Sequence, residues 1–352
     1  MRRLPRLPLA LLLALLSASP LLAADHTAAQ QFPIQFGTTG GNARDETRNF
    51  CCGGTLGALV LLDGIPQILS NNHVIARAGL AAPGEAIIDP GLIDNSCSTG
   101  GARRVAVFHS NWVPLGQHNV DVAVARALRG RVDPSGTIMD LGVPCTSVQQ
   151  AAAGMTVTKS GRTTGVTSGT VQAIDAQVMV DYRPHCGTGA TITRSYDNQL
   201  VIVPAAFSDA GDSGSLIVST GLHPVGLLFA GSDTTTIAHP FQDVIDAFAA
   251  TGHSFSLVGA ECAGSKAAET VAGPQGVAIE AARAVKQKHQ DALFTAPGVL
   301  GVGVGKVDDD PATTEAAIVV YVDAASATPL ALAEALDGVK VRIVPTGHFV
   351  AR

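Results

Sequence analysis

"SDAGDSGSLIV", residues 208–218, sets Ser213 inside a Gly-Asp-Ser-Gly-Ser turn that leads into an apolar run of β type. Gly and Asp are ordinary turn formers and Ser is at home on a surface loop, so the stretch alone suits a plain turn. The same residues suit a presented nucleophile, with the backbone N–H groups of Gly211 and Ser213 turned toward an oxygen that gains negative charge. A serine hydroxyl needs a base, and the base needs an orienting carboxylate. The rest of the chain separates the two readings.

Outward from the turn, the residues from about Phe32 to Leu257 alternate short β-branched or apolar runs with Gly, Asp, Asn and Ser turns. "GTLGALVLLDG", "VDVAVARA", "MTVTKSG", "GTVQAIDAQVMVDY", "QLVIVPA" and "PVGLLFAG" are examples. Strand after strand without helical periodicity argues an all-β barrel or sandwich. One segment here reads as a helix, "FQDVIDAFAATG" (241–252), with Val244, Ile245 and Phe248 on one face and Gly252 as its stop.

Of ten histidines, His73 stands where a base is expected, after the strand-like "QILSNNHVIA". A lone histidine there is ordinarily a loop residue or a satisfied core residue. Asp121 in "NVDVAVAR" is an acid inside an alternating apolar run, where an unpaired carboxylate is costly. Its partner is either an arginine or His73. The order His, Asp, Ser is that of chymotrypsin and differs from subtilisin and the α/β-hydrolases. The hydrolase elbow also requires Gly two residues after the nucleophile, and Ser215 stands there.

Residues 33–258 thus resemble the trypsin-like (chymotrypsin-fold) serine peptidases of bacteria, including the α-lytic type. "GGTLGALV" resembles the strand before the histidine, "LSNNHVIA" the histidine motif, "VDVAVA" the aspartate motif and "AGDSGSLIV" the serine motif. "TKSGRTTGVTSGTVQAI" (158–174) is similar to a stretch of α-lytic-type enzymes, and "VGLLFAGS" to the strand on which substrate backbone pairs. The resemblance implies a double six-stranded β-barrel and peptide-bond hydrolysis, with a protein or peptide as substrate. It implies Ser213 as nucleophile, His73 as proton relay, Asp121 as its orienting acid, and the Gly211 and Ser213 N–H groups as oxyanion hole. Phe207 falls at the base of the specificity pocket, with Phe229, Ala230 and Gly231 along a wall. Phe207 is no acid, so apolar or small side chains are expected, unless the ring itself fills the pocket. The start of the chain lacks an Ile-Val-Gly-Gly activation segment, so the cation for Asp212 is expected from Arg162, as in α-lytic-type enzymes.

Composition bounds the remainder. Hydrophobic residues at 46% and charged residues at 15% describe a packed globular chain, and a net charge of −6 argues against a nucleic-acid partner. Arg2, Arg3 and Arg6 precede the apolar Leu7–Leu16 and a small-residue stretch, which reads as a signal peptide over residues 1–24. That run is too short for a stable membrane anchor. Export places the chain where cysteines oxidise, so Cys51, Cys52, Cys97, Cys145, Cys186 and Cys262 are expected in disulfides. Six cysteines leave fifteen connectivities open, though adjacent Cys51 and Cys52 are poorly placed to bond each other. No metal or other cofactor is expected.

The peptidase-like part is read as residues 25–258, a linker as 259–275 and a small α+β module as 276–352. The module's pattern is α-β-β-α-β, with its second helix over "PLALAEALDG" (329–338). "GVLGVGVGK" (298–306) carries glycines that alternate within a strand, unlike a dinucleotide loop, which opens a helix. The module is expected to fold separately and to bind substrate, assist folding, or inhibit the enzyme until removed. Two other functions fit the sequence: a non-catalytic binding scaffold that kept the fold, and an esterase with the same three residues.

Overall fold

A computed structural model describes residues 24–262, 274–310, 312–326 and 332–351; the signal-peptide expectation lies outside them. The first barrel is built from β1 (Thr38–Asn42), β2 (Gly54–Leu56), β3 (Ala58–Leu62), β4 (Ile65–Ser70), the short helix α1 (Asn72–Ile75), β5 (Ala86–Asp89), β6 (Arg103–Phe108) and β7 (Ala123–Ala127). Its strands run β3-β4-β7-β6-β5-β1-β2. β2 and β3 are halves of one strand bent at Gly57, so this order returns to its beginning and closes six strands into a barrel. At the bend a Cβ on Gly57 would lie 1.9 Å from the Gly214 carbonyl oxygen. Only glycine admits that approach.

The second barrel holds β8 (Thr156–Gly161), β9 (Gly165–Tyr182), β10 (Ile192–Val203), β11 (Leu216–Ser219), β12 (Pro224–Gly231) and β13 (Thr236–Pro240). Their order is β10-β13-β12-β11-β8-β9, and β9 pairs back onto β10 to close it. In the second half of β9, Ile174, Ala176, Val178, Val180 and Tyr182 are all buried, the period of two that a half-buried strand requires. Helix α2 (Phe241–Ala250) then buries Phe241, Val244 and Phe248 in the first barrel's core, and β14 (Phe255–Leu257) lies against β3. The double six-stranded barrel expected from the sequence is present.

The C-terminal part departs from expectation in several ways. Residues of the expected linker are tied to the barrels, since Cys262 bonds Cys145 and Ala260 bridges the same cysteine. Helix α3 (Pro274–Phe294) begins before the linker was expected to end. Most consequentially, β15 (Val299–Lys306) and β16 (Ala316–Asp323) do not start a sheet of their own. β15 pairs antiparallel with β9, from Gly301↔Val178 to Gly305↔Ala173, so one sheet runs from the barrel through the module. The alternating glycines explain how: a Cβ on Gly303 would stand 3.0 Å from that of Ala176, and one on Gly305 would be 2.4 Å from the Gln172 carbonyl.

Of the second expected helix (329–338), residues 329–331 lie outside the described residues and 332–338 are not helical. Ala335–Leu336 forms β17, paired with β18 (Val339–Thr346) through Asp337 and Gly338, whose φ values are 47° and 85°. Two successive left-handed residues make a hairpin turn, which overrides the helix propensity of Ala335 and Leu336 before it. β18 runs parallel to β16, and a last strand, β19 (Phe349–Ala351), leaves the module to lie between β12 and β9.

Candidate active site

His73 enters from α1, directly after β4, and Asp121 from the segment ahead of β7, its carboxyl group fully buried. The pairing of β4 with β7, including Ser70↔Ala123, brings the two together. His73 Nδ1 lies 2.6 Å from Asp121 Oδ2, and the His73 backbone N–H donates to Asp121 Oδ1 at 3.2 Å. Burial pushes the Asp121 carboxyl up, but the charge and hydrogen bond of His73 outweigh it and hold the group below its ordinary value. Of the two partners left open for this acid, the structure selects the histidine.

Two residues that sequence reasoning missed hold Asp121 from behind. Its backbone N–H donates to His239 Nε2 at 2.8 Å, and its carbonyl accepts from Asn71 Nδ2 at 2.7 Å. Accepting at Nε2 leaves the His239 proton on Nδ1, where it donates to Gln199 Oε1 at 2.7 Å. Burial pushes the His239 imidazole down to about 3, so it stays neutral. Its ring stacks on Phe229 at 3.8 Å between centroids.

Ser213 arrives from the second barrel in a turn with φ of 99° at Gly211 and 95° at Gly214. Its hydroxyl donates to the Phe229 carbonyl at 3.1 Å. Neither Gly211 nor Ser213 gives its N–H to a backbone acceptor among the described residues. The serine turn meets the histidine segment across β2. Thr55 N–H donates to the Ser213 carbonyl at 2.8 Å, and a Cβ on Gly54 would touch both Val74 at 2.8 Å and the Ser213 carbonyl at 3.1 Å.

The expected Arg162–Asp212 ion pair is not formed. Arg162 turns to Asp94, with Nε at 2.7 Å from Oδ2 and an Nη at 2.5 Å from Oδ1. The cation facing Asp212 is Lys159, 3.5 Å away, and both side chains are fully buried. Burial pushes the lysine down and Asp212 opposes that shift. Asp212 also accepts from the N–H groups of Thr163, Thr164 and Asp209 and from the Thr164 hydroxyl. A carboxylate with that many donors takes one compact cation inside the barrel, whereas the Arg162 fork fits Asp94 at the barrel junction. The clue in the sequence was parity: Lys159 shares its face of β8 with Val157, a core position.

Phe207 is not among the residues that line the cavity beside His73. Its ring is fully buried in the second barrel's core with Val171, Ile202 and Leu228. The cavity beside His73, about 650 Å³, is instead lined by Asp45, Tyr182, Cys52, Cys186, Val350 and Ala351 among others. Ala230 and Gly231 are buried in β12, paired with β13 on one side and with β19 on the other. Cys52 joins Cys186 at this cavity, Cys51 joins Cys97, and Cys145 joins Cys262.

Among the described residues, no group of histidines, cysteines and acids is arranged to hold a metal, and no helix is long and apolar enough to cross a membrane. No protein-family model and no curated protein matches the sequence. Among solved structures the chain is similar to a glutamic-acid-specific serine protease, at 21% identity over 64% of this chain and 100% of that one, with a TM-score of 0.44. It is similar to Thermobifida fusca Protease A at 18% identity, 64% and 99% coverage and a TM-score of 0.42. A chymotrypsin of Cellulomonas bogoriensis gives 16% identity, 64% and 99% coverage and a TM-score of 0.40. These likenesses concern the fold alone.

Proposed function

We propose that the chain is an exported serine endopeptidase acting through Ser213, His73 and Asp121. The observation that carries this reading is the buried Asp121, bound to His73 through both ring and backbone, at the junction where Ser213 is presented. In this reading Asp121 keeps the His73 proton on Nδ1, so that Nε2 takes the Ser213 proton as Oγ attacks the peptide carbonyl. The oxygen of the tetrahedral intermediate is received by the N–H groups of Gly211 and Ser213. His73 then protonates the departing amine, and water repeats the sequence on the acyl-enzyme. Three disulfides among the described residues support export to an oxidising compartment.

The test is covalent labelling with an alkyl fluorophosphonate followed by peptide mapping. Modification of Ser213 alone, lost in Ser213→Ala, is the expected result. Absence of labelling with intact folding favours a binding scaffold. Turnover of esters but of no peptide or protein favours an esterase.

A further inference from the structure

Along one edge of β12 the partners change in a strict succession. Leu227 pairs with Leu216 of β11, and Leu228 bonds Ser215 and Gly214 through its N–H and carbonyl. Phe229 then accepts the Ser213 hydroxyl. Beyond it Ala230 pairs with Ala351, and Gly231 with Val350, antiparallel. A peptide laid on this edge in the direction of β19 therefore reaches, one residue past the position opposite Ala230, the residue whose carbonyl holds the nucleophile. Its next carbonyl group is delivered to Ser213.

The occupant is held at several points. Thr346 Oγ1 lies 2.6 Å from Ser232 Oγ and 2.7 Å from Thr234 Oγ1, and the Gly347 N–H donates to Asp233 Oδ1 at 2.9 Å. Phe349 is fully buried between β12 and β9, edge-on to Tyr321 at 6.0 Å between centroids. Val350 and Ala351 border the same cavity as His73. On its other side β19 pairs with Val180 and Asp181 of β9, so no free edge is left for a second peptide.

Resting on the peptidase reading, we infer that residues 347–351 occupy the substrate's own place on β12, so that the full chain is slowed, not silenced, by a competitive intramolecular peptide. The ligand class of the site is an extended peptide with a large apolar side chain two residues before the position opposite Ala230. Substrate and tail exclude each other because both need the N–H and C=O groups of the same edge.

Two full-chain variants test this. Val350→Pro removes a strand donor, and Asp233→Ala removes the anchor at Gly347. Each is expected to raise the rate of fluorophosphonate labelling at Ser213 by about tenfold or more, the change that accompanies loss of ~1.4 kcal/mol of tail binding. An acetylated peptide of sequence Thr-Gly-His-Phe-Val-Ala is expected to slow Val350→Pro labelling competitively, and its fluorescent form to bind Val350→Pro far more tightly than the parent. Folded variants that both label within twofold of the parent overturn the inference, as does a peptide that fails to bind Val350→Pro. If no form labels but the peptide still binds only the variant, the tail's place stands and the peptidase reading falls.

Discussion

Lys159 and Asp212 face each other at 3.5 Å inside the second barrel, with both side chains fully buried. Their pairing fixes the turn that carries Ser213, because the same carboxylate binds the N–H groups of Thr163, Thr164 and Asp209. Lys159→Met strands a buried carboxylate, which typically costs ~3–5 kcal/mol. The expected outcome is a large drop in melting temperature together with slower labelling of Ser213. A melting temperature within about 2 °C of the parent refutes the pairing's role. Arg162→Ala, which leaves Asp212 its lysine, is expected to disturb the junction at Asp94 and to spare the serine turn more.

The second prediction concerns Ser213 and His73. Each alanine variant is expected to lower kcat by as much as ~10⁶, and the double variant by hardly more, because the residues act as a unit. Peptide or ester hydrolysis by purified Ser213→Ala protein at the parental rate removes the assignment.

His239 gives the chain a defined acid weakness. Its imidazole takes a proton at 6.5 when unfolded and only at about 3 when folded. Through that window the unfolded state binds more protons, so stability is full well above pH 6.5 and declines as pH falls toward 3. His239→Gln can still accept from the Asp121 N–H but does not titrate. Urea unfolding at about pH 4 and about pH 8 is expected to show a smaller loss in the variant than in the parent. Equal losses count against a neutral buried His239.

A fourth prediction concerns Cys52–Cys186, which ties the first barrel to the β9–β10 connection beside the His73 cavity. The paired Cys52→Ala, Cys186→Ala variant is expected to lose ~2–4 kcal/mol of stability. It should also bind peptides at the cavity less tightly, read as a raised KM. An unchanged KM would falsify a role for this bond in shaping the cavity.

The barrels and the contact of His73 with Asp121 were legible because each rests on local pattern: alternation, turn residues and motif order. Lys159 was legible in principle, as a lysine at core parity on β8, but an arginine with a ready geometric rationale stood three residues away. The hairpin at Asp337-Gly338 was likewise written in the sequence and was hidden by helix-forming neighbours. His239 and β19 were not legible at all. A histidine in an apolar strand looks the same whether or not it steadies a distant acid. Which edge a three-residue strand joins is decided by the whole topology and not by Phe349, Val350 and Ala351 themselves.

The shared sheet of β9 and β15 changes what a break in the connector between Cys262 and Pro274 can accomplish. Such a nick cuts the covalent link, yet the strand ladder from Gly301↔Val178 to Gly305↔Ala173 still joins the two pieces. The product is a tight two-chain complex, and liberation is then a question of dissociation rate and dilution. A nicked preparation should therefore travel as one particle on a sizing column and come apart only in denaturant, so that scission and release are separate events with separate clocks.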